Sequence, residues 1–368
     1  MILNLLNIYK EAKKNFYNNK ENLNQKSRHW KTYDFREFNT DNLKNFRSSG
    51  KLSEGLDDKK ENFSFKIFAK IINDLGEDYV INNLPKKNIG NCDNLIKYKN
   101  VLIDYNKLIH IYWFWILENK ILKKNDIQSF CEIGGGYGSF SELFIKNYNM
   151  KLLSIDLPEA NLMTSYYLKE TFPEKKFYLF DTYRKKNHLS YEEYLNNDII
   201  ILPPNCNYDE KIKIDLFINT RSMMEMNFDV IKKYFSFIQN YSHEKSFFLN
   251  VNRYEKTSVG YPIRISDYPY DKNWQILISK PSFSQNWLHF ILTKRNFEKN
   301  ENDIEEELKK IEALGKKFSG LYIDYSPRFI AVKKVIKSFL NAFYGIKILN
   351  YVGKFLVKTG TKLKNLKK

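Results

Sequence analysis

The distribution of apolar and polar positions divides the chain into three stretches. From residue 1 to about 126, apolar side chains recur at helical spacing, most clearly in Phe65–Leu75 and Leu102–Leu122. Between these, Asn83–Asp93 reads as a loop on its Asn, Pro85 and Gly90. From about 127 to 296, short apolar runs alternate with helical stretches. Ile127–Ile133, Lys151–Asp156, Asp198–Leu202, Lys213–Asn219 and Ser246–Asn252 read as strands. Phe140–Lys146, a segment opening at Pro158, and Phe228–Ile238 read as the helices between them. Such alternation implies a parallel sheet covered on both faces. Trp274–Ser279 and Trp287–Thr293 stand too close for an intervening helix and suit an antiparallel hairpin. The third stretch, 297–368, opens on a charged helix, Asp303–Leu314, with Asn302 as N-cap and Glu305 capping in return. Further on, apolar residues at 332, 335, 336, 339, 340 and 343 form one face of a helix with lysines opposite.

The first strand runs into Glu132-Ile-Gly-Gly-Gly-Tyr-Gly138, an acid followed by alternating glycines at 134, 136 and 138. A chain leaving a parallel strand must turn sharply. Glycine permits that turn and lets a ligand lie against bare backbone, while the N-terminus of the next helix directs N–H groups at the ligand. The dinucleotide fingerprint, G-x-G-x-x-G, would require glycine at 139, which is Ser139. The spacing instead matches the first motif of class I methyltransferases, whose leading acid holds the amino group of S-adenosylmethionine (SAM). Asp156 ends the second strand 24 residues after Glu132, and a carboxylate there can accept both hydroxyls of a ribose. The cofactor set is therefore Glu132, Gly134, Gly136, Tyr137, Gly138, Asp156, Leu157 and Asn219.

Phe130–Gly138, Ile155–Glu159, Ile214–Asn219, Ser222–Met226 and Val251–Arg253 together resemble the bacterial sugar O-methyltransferase family, from about residue 28 to 295 and excluding the tail. The resemblance implies a class I, Rossmann-like fold with a mostly parallel seven-stranded sheet, SAM as cofactor and a carbohydrate acceptor, as in surface polysaccharide biosynthesis. Residues 1–126 would then cap the site or mediate a homodimer, 127–296 would bind SAM, and 297–368 would form a helical extension. A base should emerge beyond the C-terminal ends of the later strands. Glu225 is the first candidate and His289 the second. Arg221, Asn252 and Arg253 at strand ends, with Asp267, Tyr268 and Tyr270 in the loop before the hairpin, are placed to meet the acceptor. No compact spacing supports a divalent cation; Asp215, Glu225 and His289 are the side chains that would hold one.

Net charge is +17, but residues 327–368 hold eleven Lys or Arg and no acid, leaving 49 basic against 43 acidic residues, or +6, for the body. The excess therefore points to the tail more than to nucleic acid: an amphipathic helix that either rests on anionic lipid or packs on the protein body with its lysines solvated. Leu202-Pro-Pro-Asn205 lacks the leading amide and trailing aromatic of the box that methylates nucleobase nitrogens. Three scattered cysteines give neither a disulfide framework nor a zinc site, and Met1–Lys10 has no basic n-region, so a reducing cytoplasm is expected. No apolar run reaches the roughly 18 residues that span a bilayer. Two alternatives remain: an inactive methyltransferase fold serving as a membrane-surface scaffold, and methylation of a non-sugar small molecule.

Overall fold

The computed structural model describes residues 1–19, 38–48, 58–93, 95–98, 101–282, 285–298 and 303–319, together with Asn22, Ser27 and Trp30. The expected helix over 329–343, the basic tail and the N-cap Asn302 lie outside these residues. The described residues all fall within one compact unit, Met1–Leu321.

At the centre of the first unit is an eight-stranded sheet. Its strands are β1 (Ser129–Ile133), β2 (Lys151–Ile155), β3 (Phe177–Tyr178), β4 (Ile199–Leu202), β5 (Ile214–Thr220), β6 (Ser242–Arg253), β7 (Trp274–Ser282) and β8 (Gln285–Arg295). They lie in the order β7-β8-β6-β5-β1-β2-β4-β3. Every pairing from β6 to β3 is parallel; β8 runs antiparallel to both β6 and β7. This is an α/β Rossmann-like arrangement with one more strand than expected. The extra strand, β3, is a two-residue edge pairing of Phe177 and Tyr178 with Ile199 and Ile200, too short to carry a periodic signal.

Side chains along each strand alternate between two cores. Phe130, Leu152, Ile201, Leu216, Ile218, Leu249 and Phe290 face one side. Cys131, Leu153, Ile200, Phe217, Phe248 and Ile291 face the other. The first side is covered by α3 (Tyr105–Lys120), α4 (Ser141–Tyr148) and α5 (Pro158–Thr171), introduced in the chain by α1 (Ile2–Asn18) and α2 (Asp58–Leu75). The second is covered chiefly by α6 (Phe228–Tyr241), with Ile311 of α7 (Asp303–Ser319). Helix α7 runs past Leu314, where the sequence pattern ends. Gly315 does not break it: the bare Cα lies where a Cβ would stand 3.2 Å from the Cβ of Tyr254, so glycine serves packing there.

Helix α3 positions the site. Asp104 caps it, accepting from Asn106 N–H at 2.8 Å, and most of its residues are buried, including Trp113 and Phe114. A helix apolar nearly all round belongs inside a protein. Lys107, on the same helix, is 1% exposed; its ammonium donates to the Ser139 carbonyl at 2.8 Å and pairs with Glu142, which also accepts from the Tyr167 hydroxyl at 2.6 Å. A second clamp joins Arg47 to Asp104, with the guanidinium 5.0 Å from the Tyr137 ring centroid. The helical region is thus tied to the loop after β1 by buried charges.

Removing one member of a buried pair leaves the other uncompensated. Lys107→Met should cost about 3–5 kcal/mol in urea unfolding. Lys186→Met, which breaks the more exposed pair with Glu193, should cost under about 1 kcal/mol. Equal midpoints for the two variants would rule out Lys107 as the anchor of α3.

Candidate functional site

The strand order reverses direction at β1: the chain proceeds to β2 and β4 on one side and returns to β5 and β6 on the other. Connections diverge there, and open α/β sheets bind ligands in the resulting crevice beyond the carboxyl ends of the strands. The glycine loop lies at that point. Gly134, Gly136 and Gly138 have φ of +69°, +66° and +85°, the left-handed region that other residues rarely adopt. Their surroundings differ. A Cβ on Gly134 would meet Ser222 Oγ at 1.8 Å, so this glycine admits the chain leaving β5. Around Gly136 nothing lies within 4 Å of the Cβ position, so its backbone is open for a ligand to approach. The Thr164 hydroxyl of α5 donates to the Gly136 carbonyl at 2.6 Å and holds the loop in place.

Two carboxylates frame this loop. Asp156 accepts from the N–H groups of Gly136 (3.0 Å) and Leu157 (2.7 Å). Burial nevertheless pushes its pKa up to about 7, against the two backbone donors. Glu132 is 2% exposed, accepts from the Ser141 hydroxyl and lies beneath Gly135. Burial raises it to about 7 as well, with Asp156 adding to the rise. Both are acids short of compensating charge, a state that a ligand bringing hydroxyl donors or a cation would relieve. These two acceptors fit the donors of SAM, its ribose hydroxyls and its amino group. Tyr137 turns away from the opening: its hydroxyl donates to Asp104 at 3.3 Å and its ring lies among Arg47, Phe46 and Tyr167.

Several expected site residues belong to the frame instead. Asn219 is fully buried; it donates to the Ile133 carbonyl at 2.8 Å and accepts from Met223 N–H and the Asn252 amide. Asn252, also fully buried, donates to Asn250 at 2.6 Å and accepts from Met224 N–H, while Asn250 donates to the Tyr270 hydroxyl at 2.9 Å. This amide ladder shapes the turn after β5 from inside, so neither Asn219 nor Asn252 is available to a ligand. Tyr268 is 2% exposed and packs edge-on to Phe235, a core residue and no lid. Asp267 is exposed, 3.9 Å from Arg264. Arg253 is half-buried at the end of β6.

His289 is fully buried in β8, with Nε2 2.7 Å from Ser279 Oγ and Nδ1 2.9 Å from the Tyr254 hydroxyl. Burial lowers its pKa to about 4. Both nitrogens are engaged, so it is a packed core histidine. Glu225 closes a short 3-10 turn, Met223–Glu225, ahead of α6, and its carboxylate pairs with the buried Lys256. It does not sit in the N-terminal turn of that helix. Asp215 lies near the start of β5, bound by Ser129 and Gln128 backbone N–H groups and 2.9 Å from His243 Nε2. The strand separates it from Glu225, and the three suggested cation ligands do not converge. Among the described residues no group of three or more His, Cys, Asp or Glu could hold a metal, and no helix is long and apolar enough to cross a membrane.

Arg221 takes a different place. It follows β5 with φ of +56°, unusual for a residue with a side chain, and reaches α3, donating to Asn106 Oδ1 at 3.0 Å. Beside it on α3 stand His110 and Trp113. Sequence reading missed these, although a histidine inside a helix that is apolar all round was a readable sign of a buried polar contact.

No protein-family model matches the chain, and no curated protein matches it. Among solved structures it is similar to the mitomycin 7-O-methyltransferase MmcR, at 12% identity over 52% of this chain and 57% of that one, with a TM-score of 0.32. It is similar to the pyocyanin biosynthetic protein PhzM at 9% identity, covering 52% of this chain and 58% of that one, TM-score 0.32. A methyltransferase from Pyrococcus furiosus gives 9% identity, 55% and 89% coverage and a TM-score of 0.34. The chain thus spans less than two thirds of the first two proteins. Likenesses this distant decide neither fold nor function; the fold rests on the strand order.

The raised carboxylates set a pH dependence. A carboxylic acid held above its ordinary value favours the protonated fold, so stability is lost as pH rises from about 4 toward 7. Asp156→Asn removes one such charge. In urea unfolding, Asp156→Asn should exceed the parent in stability at pH 8, and the gap should narrow at pH 5. A gap independent of pH would show that Asp156 carries no such penalty.

Proposed function

We propose that the chain is a SAM-dependent O-methyltransferase that methylates a sugar hydroxyl, in the assembly of surface polysaccharide. The observation that carries the reading is Asp156 beside the open backbone of Gly136, at the point where the sheet reverses. Two oxygens of one carboxylate match two adjacent hydroxyls, and glycine leaves room for the ligand to reach them. Glu132 would hold the amino group of the methionine moiety, and Leu157 would lie against the nucleoside. When bound, SAM supplies a sulfonium methyl group. The protein then has to align an acceptor oxygen with it and take that oxygen's proton. The sugar assignment rests on the resemblance carried by Phe130–Gly138, Ile155–Glu159 and Ser222–Met226.

Hydroxyl donors favour the ionised form of Asp156, so binding below pH 7 should release protons. Calorimetry at pH 6.5, in buffers of different ionisation enthalpy, should show SAM binding with proton release and affinity rising toward pH 8. Asp156→Ala and Gly136→Val should both abolish detectable binding, the first by removing the ribose acceptors and the second by filling the open backbone. No heat of binding by the parent protein would sink this reading.

A further inference from the structure

The N-terminal half of α3 runs from the loop after β1, whose Ser139 carbonyl Lys107 holds, to the turn after β5, where Asn106 meets Arg221. At one side His110 Nδ1 stands 3.4 Å from Ser139 Oγ, and its ring stacks on Phe140 with centroids 5.0 Å apart. At the other, Asn106 accepts from Arg221, whose guanidinium is 5.8 Å from the Trp113 ring centroid. Residues 106, 110 and 113 share one stripe of the helix. They form a polar-aromatic wall facing the ends of β1 and β5.

The charges in this wall are unequal. Lys107 is paired with Glu142, Arg47 with Asp104 and Lys256 with Glu225. Arg221, half-buried, is paired with no carboxylate among the described residues; its side-chain partners are an amide oxygen and an indole face. A guanidinium has five N–H donors and prefers a planar anion. Its backbone is also held in the left-handed region, which a residue with a side chain rarely adopts and which gathers at ligand clamps. His110 is its neutral neighbour. Burial first, then Arg221 and Lys107, press its pKa well below the ordinary value. With Nδ1 directed at Ser139, Nε2 has no hydrogen-bond partner among the described residues.

We infer that this crevice is the acceptor subsite and takes a hydroxyl-bearing sugar with an anionic substituent, the anion on Arg221 and the reacting hydroxyl facing His110 Nε2. The inference rests on the methyl-transfer reading and adds the class of acceptor and the base. The acceptor oxygen forms a bond to the methyl carbon as the carbon–sulfur bond breaks, its electron pair going to sulfur. The hydroxyl proton passes to Nε2 and from there to solvent. A carboxylate, as in a uronic acid, and a phosphate, as in a glycosyl phosphate, present the same chemistry to Arg221.

The test uses the full chain saturated with S-adenosylhomocysteine, titrated with glucose, glucuronate and glucose 1-phosphate. At least one anionic sugar should bind, with glucose about tenfold weaker or worse. The tighter of the two anions identifies the substituent. Arg221→Gln should reduce that ligand to the level of glucose, Arg221→Lys should recover part of the affinity, and S-adenosylhomocysteine affinity should stay within about twofold in both variants. Glucose binding as well as the anions, no sugar binding, or an Arg221→Gln variant indistinguishable from the parent would overturn the anion site. With methyl-labelled SAM and the sugar that binds, His110→Gln should lower kcat by about 10²–10⁴-fold and remove the acidic limb of the pH profile. Absence of transfer to a bound sugar, or a His110→Gln variant with the parent's kcat and pH profile, would overturn His110 as base. Failure to bind S-adenosylhomocysteine would instead remove the methyltransferase reading itself.

Discussion

The reversal of winding at β1 is the constraint from which the rest of the site follows. Strands added toward β2 and strands added toward β5 carry their connections away from each other, so neither set of connecting helices covers the ends of both. The gap leaves the backbone after β1 with little room and no neighbour above it. Glycine is required where the chain from β5 crosses it at Ser222, and glycine leaves the surface bare at Gly136. The same gap surrounds Glu132 and Asp156 with protein while giving them no cation, so both are acids of raised pKa.

What closes the gap is held by charge rather than by apolar contact alone. Lys107 and Arg47 are almost fully buried, and each must keep its carboxylate or leave an ion unpaired in the interior. A purely apolar interface would let α3 slide along its axis; a lysine bonded to the Ser139 carbonyl and to Glu142 fixes its register over the loop. The wall that α3 presents, Asn106, His110 and Trp113, is therefore placed by the residue next to Asn106. On the other side of the crevice the buried amides Asn219, Asn252 and Asn250 play the same part for the turn that carries Arg221, each satisfied by its neighbour.

The expected site residues fall into two sets by where the fold puts their side chains. Glu132, Gly136 and Asp156 are where their motif puts them, because a strand end and a tight turn are defined by a few consecutive residues. His289, Asn219, Asn252 and Tyr268 are also at strand ends or in the expected loop, yet their side chains point inward. Strand alternation says that neighbours face opposite sides; it does not say which side is open. His289 shares a face with Ile291, the side covered by α6, and is enclosed between Ser279 and Tyr254. Glu225 meets Lys256 across 31 residues, a pairing no local pattern announces.

By itself the sequence determined the succession of strands and helices, the acid–glycine turn and Asp156. These follow from periodicity and from the few φ, ψ values open to each residue, which are local properties. It left β3 unseen, since two residues carry no period, and it read the helix at 303 as ending before Gly315. Only the tertiary structure decided which helix lies over the glycine loop, which polar residues the core absorbs and, among the described residues, that Arg221 meets an amide oxygen and no carboxylate. Those outcomes depend on contacts such as Lys107 with Ser139, 32 residues apart, and Asn106 with Arg221, 115 apart. Burial and charge compensation are properties of the assembled fold, and no window of the chain contains both partners.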